Sequence, residues 1–201
     1  MYGHHGGQPA GWMPVFTGYG TTSIAGSGAS LAVTLDPRRA TTPRDSHAAL
    51  VVSARYYGDF TATVRVRTVE QLRRGAAGSP KPWNVGWVVW HYTSDSRFYA
   101  LTLEPTGWEL SKQDPAYPGG ERFLASGLAP TFRVGSAYNV GIVQVGGMIT
   151  VSAGGQVLTR FTDTQHPYVT GAFGFYTEDA RAVFDRVRLD QLPAPPASQA
   201  G

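Results

Sequence analysis

Residues 60–69 read FTATVRVRTV, and the strict alternation of that run constrains the fold more than any other feature of the chain. Phe60, Ala62, Val64 and Val66 share one parity; Thr61, Thr63, Arg65 and Arg67 share the other. A period of two sets the apolar residues on one face of an extended strand and the polar residues on the opposite face. Such a strand is stable only in a sheet of several members, with a second layer against its apolar face.

The remaining sequence supplies those members. Short apolar or alternating runs occur at residues 30–35, 48–55, 98–103, 108–112, 138–145, 148–153, 157–161, 172–176 and 182–189. Turn signals separate them: Tyr57-Gly58-Asp59, Glu104-Pro105-Thr106-Gly107, Gly146-Gly147 and Gly154-Gly155. Residues 85–92 are apolar on both parities, which predicts a central strand covered on both faces. The single helix candidate is residues 69–74. Ten or more short strands at this spacing predict an all-β fold, a two-sheet antiparallel sandwich or jelly roll. In 201 residues they form one domain, expected over residues 11–192. The Gly-rich residues 1–10 are expected to be flexible, and the Pro/Ala tail at 193–201 to be disordered.

Composition narrows the partners. Only 15% of residues are charged, and the net charge is +3. The basic residues are scattered, with pairs at Arg38–Arg39 and Arg73–Arg74 and no longer run, so the clustered basic face of a nucleic-acid binder is not expected. The positive charge suits a solvated surface, or mild attraction for an anionic substrate such as a uronic-acid polymer. Without cysteine there is no disulfide framework. No apolar run is long enough to span a bilayer as a helix, so no membrane partner is expected. The N-terminus shows no charged region followed by an apolar one; the expectation is no signal peptide in this chain, with secretion if one was removed and a cytoplasmic location otherwise.

Three segments carry a family resemblance: GWVVWHYTSDSRFYALTLEPTGWELSK at 86–112, YNVGIVQVGGMITVSAGGQVLTRF at 138–161, and GAFGFYTEDARAVFDRVRL at 171–189. Together they resemble domains of the concanavalin A-like lectin and glucanase superfamily, the last segment being similar to the closing motif of laminin-G-like and 3-keto-disaccharide hydrolase-type domains. The resemblance implies a jelly roll that engages a poly- or oligosaccharide in the concave face of one sheet. It does not by itself choose among lectin-like modules, glycoside hydrolases, polysaccharide lyases and adhesive domains.

In such a groove pyranose rings stack on aromatic side chains, and their hydroxyls take directed hydrogen bonds. By similarity to the family unit, Trp87 and His91 face the ligand and Trp90 the core. The segment 107–123, GWELSKQDPAYPGGERF, packs large polar and aromatic side chains into a strand and a Pro/Gly-rich loop. From it, Trp108 and Tyr117 are candidates for stacking and contact, Lys112 and Arg122 for binding hydroxyls or a carboxylate, and Glu109 and Asp114, with His91, for acid–base chemistry. The retaining glucanases of the superfamily carry Glu-x-Asp-x-Glu on one strand, whose alternate residues share a face. This chain has no such motif, which disfavours that hydrolase. A lyase would need a Tyr or His base and a cation for the uronate; His91, Tyr99, Tyr117, Arg122, His47 and Arg55 supply the types. One structural calcium is implied by resemblance, with Asp185 or Asp36 as ligand. Three readings therefore stand: a glycan-binding domain, a carbohydrate-active enzyme, and a laminin-G-like protein-interaction module.

Overall fold

A computed structural model describes residues 11–193. The expectations for residues 1–10 and for most of the 193–201 tail lie outside the described residues. In chain order the strands are β1 (Trp12–Phe16), β2 (Thr21–Ala25), β3 (Ala32–Asp36), β4 (Ala48–Tyr57) and β5 (Phe60–Gln71). Then come β6 (Gly86–Ser94), β7 (Arg97–Glu104), β8 (Gly107–Gln113) and β9 (Glu121–Gly127). The chain continues through β10 (Ala137–Val145), β11 (Met148–Ala153), β12 (Gln156–Thr162), β13 (Gly171–Glu178) and β14 (Ala180–Gln191).

The strands form two seven-stranded sheets. The first runs β1-β4-β13-β6-β7-β8-β9 and the second β12-β11-β10-β5-β14-β3-β2. Both are antiparallel throughout, and many neighbours are distant in sequence, as the crossovers of a jelly roll require.

The alternation in β5 does what its period demands. Phe60, Ala62, Val64 and Val66 are buried and meet Val51, Trp90, Leu101, Leu110 and Phe175 of the first sheet. Phe175 stacks on Phe184 across the interior with ring centroids 4.5 Å apart. The indole N–H of Trp90 donates to Gln144 Oε1 at 2.6 Å, so this tryptophan is buried without an orphaned donor. Each large apolar side chain in this layer contributes about 1.5–3 kcal/mol by leaving water.

A second apolar cluster lies on the outer face of the first sheet: Leu50, Val52, Trp87, Val89, Phe98 and Ala100. It accounts for the doubly apolar pattern of β6, which is central in its sheet and has one parity in each cluster. The helix expected at 69–74 is absent. Residues through Gln71 continue β5, the N–H of Leu72 donates to the Asp179 carbonyl at 2.7 Å, and a single 3-10 turn follows at Gly75–Ala77. Leu72 is buried, so the alternation of the strand outweighs the helix propensity of Glu70, Gln71 and Arg73.

Candidate functional site

The outer face of the first sheet carries a row of side chains in register across all seven strands. It runs Phe16, Leu50, Tyr176, Trp87, Thr102, Glu109 and Ser126. Alternation places these residues on the solvent side while Trp90, Leu101 and Leu110 turn inward. The next row is smaller at its centre: Gly174, Val89, Ala100 and Ser111. Small residues beside large rings make a trough. Two adjoining clefts of about 270 Å³ and 480 Å³ occupy this face and share Trp87, Glu121 and Glu178.

The trough has an aromatic floor and acidic walls. Trp87 packs against Tyr176 with centroids 4.8 Å apart, and its indole N–H donates to the Trp83 carbonyl at 2.8 Å. Trp83 (43% exposed) and Phe123 (66% exposed) stand at the rim. Asp95, Glu104, Glu109, Glu121 and Glu178 line the clefts, and among the described residues no lysine or arginine does. Burial, reinforced by the charges of Glu104 and Glu121, pushes the Glu109 carboxyl up to about 7. Burial likewise raises Glu104 and Glu121 above the usual carboxylate range. At neutral pH Glu109 is therefore divided between an acceptor-only carboxylate and a carboxylic acid that also donates.

The strand β8 alternates between two environments. Glu109, Ser111 and Gln113 pair with the outer-face residues Thr102, Ala100 and Phe98. Trp108, Leu110 and Lys112 turn the opposite way. Trp108 belongs to the core, its N–H bound to the Ala129 carbonyl at 3.0 Å, and not to the trough as expected of a stacking platform. Lys112 is fully buried: its ammonium donates to Asp163 Oδ2 at 2.8 Å and to the carbonyls of Gln165 and His166, both at 2.9 Å. Asp114 and Arg122 join the same ion cluster, with Arg122 Nη1 3.6 Å from Asp114 Oδ2. Tyr117 lies in the β8–β9 loop beneath the Arg122 guanidinium, 5.5 Å from ring centroid to carbon. Lys112, Asp114, Tyr117 and Arg122 thus come together with one another, and none of them lines the clefts that hold Trp87 and Glu109.

His91 follows a break in the alternation of β6. It has φ +50°, and the β6–β7 register shifts between Trp90 and Ser94. The bulge turns His91 inward, where it packs edge-on to Phe60, and gives Tyr92 the outward position. His91 Nδ1 lies 2.7 Å from the Tyr168 carbonyl, and Nε2 lies 3.1 Å from the Gly58 carbonyl. Burial lowers its pKa against the pull of those two carbonyls. The expected position facing the ligand is therefore taken by Tyr92, whose hydroxyl donates to Asp95 at 2.6 Å.

Asp185 lies on the outer face of the second sheet, where Arg65 donates to both its oxygens at 2.7 Å. With both oxygens engaged by a guanidinium, Asp185 does not fit a calcium ligand, and Asp36 is paired with Arg181 at 3.0 Å. Among the described residues no group of three His, Cys, Asp or Glu side chains converges on a point.

The trough residues Tyr176, Tyr92, Glu121 and Glu178 escaped the sequence reading. Register finds three of them once the strand order is known: Tyr176 lies across the ladder from Trp87, Glu178 shares the parity of Tyr176, and Glu121 pairs with Gln113 on the parity of Glu109. Tyr92 is placed only by the bulge in β6, which parity does not reveal.

No family model matches this chain, and no curated protein matches it in sequence. Solved structures do match in fold. The carbohydrate-binding module CBM66 from Bacillus subtilis aligns over 90% of this chain and 96% of its own, with TM-score 0.63 and 15% identity. A glycoside hydrolase family 16 endo-glucanase from Bacteroides ovatus aligns over 89% and 94%, with TM-score 0.56 and 8% identity. A Bacillus subtilis protein of unknown function with a galectin-like fold aligns over 90% and 89%, with TM-score 0.56 and 15% identity. These likenesses show the fold alone, a two-sheet antiparallel jelly roll.

Proposed function

We propose that this chain is a carbohydrate-binding domain that holds a neutral poly- or oligosaccharide in the trough on the outer face of the first sheet. The observation that carries the reading is the in-register row in which Tyr176 and Trp87 are followed by Thr102 and Glu109. Aromatic rings offer the C–H face of a pyranose a surface to stack on, and flanking carboxylates accept from its hydroxyls. The fold neighbours support this reading, since one is a carbohydrate-binding module and another an endo-glucanase. The acidic lining, without a lysine or arginine, favours a neutral sugar over a uronate. It also removes the cation that lyase chemistry on a uronate needs.

Binding is favoured over two-carboxylate hydrolysis by β8 itself. A Glu-x-Asp-x-Glu strand would offer three acids to the trough, whereas β8 offers Glu109, Ser111 and Gln113. The test is affinity electrophoresis in gels containing a β-glucan, a xylan, a mannan or a fructan. At least one gel should retard the wild type, and Trp83→Ala should run at least about tenfold weaker in affinity, a loss of about 1.4 kcal/mol. Equal migration of both proteins in every gel overturns the reading.

One observation favours a second reading, a hydrolase of unusual acid arrangement. Glu109, held up to about 7, has the proton a general acid needs, and Glu121 stands on the next strand. Release of reducing ends by the wild type and its loss in Glu109→Gln would establish that reading.

A further inference from the structure

The structure assigns a second ligand site to the face opposite the trough: we propose an anion site for the sulfate or carboxylate groups of an acidic polysaccharide. A depression of about 490 Å³ lies on the outer face of the second sheet, lined by Arg65, Arg186, Arg188, Thr63, Asn139 and Ser152 among others. Register brings them together. Arg65 pairs with Asn139 on β10 and Asp185 on β14, while Thr63 pairs with Gly141 and Arg188, and Gly141 pairs with Ser152. The glycine opens the floor, because a Cβ at Gly141 would come within 2.5 Å of Ser152 Oγ.

Two features mark the depression as built. The first is a bulge in β14, where the ladder to β5 shifts between Asp185 and Arg188. Arg186 sits there at φ +52°, a conformation costly for a side chain of its kind, and Val187 alone of the three residues 186–188 is buried. The bulge thereby leaves Asp185 and Arg186 on the same side and adds an arginine to the face. The second feature is how the charges pair. Asp185 is consumed by Arg65 in a bidentate pair, and it holds that guanidinium in place. Arg186 and Arg188 form no ion pair or side-chain hydrogen bond among the described residues, so two guanidinium forks remain open beside the fixed one. Arginine suits planar oxyanions such as sulfate and carboxylate, while Thr63, Asn139 and Ser152 suit the hydroxyls between them. Among the described residues no aromatic side chain lines the depression, which disfavours the stacking platform of a single-stranded nucleic-acid site.

The test is salt elution from immobilised heparin, a sulfated polysaccharide, with polygalacturonate as the competing carboxylate polymer. The variant Arg186→Asn/Arg188→Ser keeps a residue that tolerates positive φ at 186. It should elute at clearly lower salt than wild type, with affinity reduced about tenfold or more. Arg38→Ser/Arg44→Ser removes the same charge elsewhere and should elute with wild type, as should Trp83→Ala, which touches only the trough. Competition by polygalacturonate includes carboxylates in the ligand class, and its failure restricts the class to sulfates. Co-elution of the Arg186/Arg188 variant with wild type overturns the site. An equal shift in the Arg38/Arg44 variant reduces it to general charge attraction. Equal affinity for single-stranded DNA, lost in the same variant, overturns the choice of a polysaccharide.

Discussion

Lys112 shows how residue type and residue role separate. Its three ammonium protons meet three oxygen acceptors, and the ring centroid of Tyr168 lies 4.4 Å from the nitrogen. Desolvation works against the charge on Asp163, yet hydrogen bonds from Lys112, Tyr99 and the Gln165 N–H outweigh it and hold that carboxyl below its usual range. Removing one partner of such a buried pair strands the other. Lys112→Met is expected to destabilise the fold by about 3–5 kcal/mol in urea unfolding, while the folded fraction keeps its glycan affinity. Glu109 gives the opposite pH signature. Its pKa is about 7 in the fold against an ordinary 4.5. Between those values the unfolded chain has released the proton and the native state still holds it, so stability from this group is full below about 4.5 and is lost as pH rises through about 7. In Glu109→Gln the fall in stability over that window should be shallower, as measured by denaturation at pH 4.5, 6 and 8. Both residues were visible as candidates in the sequence, and both stand on β8. What the sequence hid was the side each occupies, because a lysine deep in a β-sandwich violates the usual partition of charge and only its local acceptors explain it.

At the scale of elements, the central strands were legible, and of the four edge strands only β12 was. The strands β4 to β8, β10, β11, β13 and β14 have neighbours on both sides and carry strong apolar patterns. The unread strands β1, β2 and β9 are all sheet edges, where one side lacks a partner and burial is partial. Pro14 further masks β1, in keeping with the confinement of proline to edge strands. The bulge in β6 was equally hidden, since alternation carried past Trp90 assigns His91 to the wrong face. It makes a clear prediction. A β-branched residue is strained at φ +50°, so His91→Val should lower stability by about 1–3 kcal/mol, whereas His91→Asn should retain more of it. Thermal unfolding of the two variants decides between them, and Tyr92 should leave the trough only in the first.

The whole molecule divides its charge. Carboxylates line the trough on the outer face of the first sheet, and open arginines gather on the outer face of the second. The net charge of +3 conceals that division, and the mild attraction for anions expected from composition is proposed for the second face. The binding proposed for the trough pairs ring stacking with hydrogen bonds from an uncharged sugar, so it should hold within about twofold between 50 and 500 mM salt, over which range exposed charges are largely screened. The most direct test of the trough is a titration of isotope-labelled protein with the neutral glycan that retards it most strongly, followed by NMR. The account predicts shifts concentrated on Trp83, Trp87, Tyr92, Glu109 and Tyr176, with Arg65 and Arg188 unmoved. Shifts centred on the second sheet, or no shift with any neutral glycan of the panel, would contradict it.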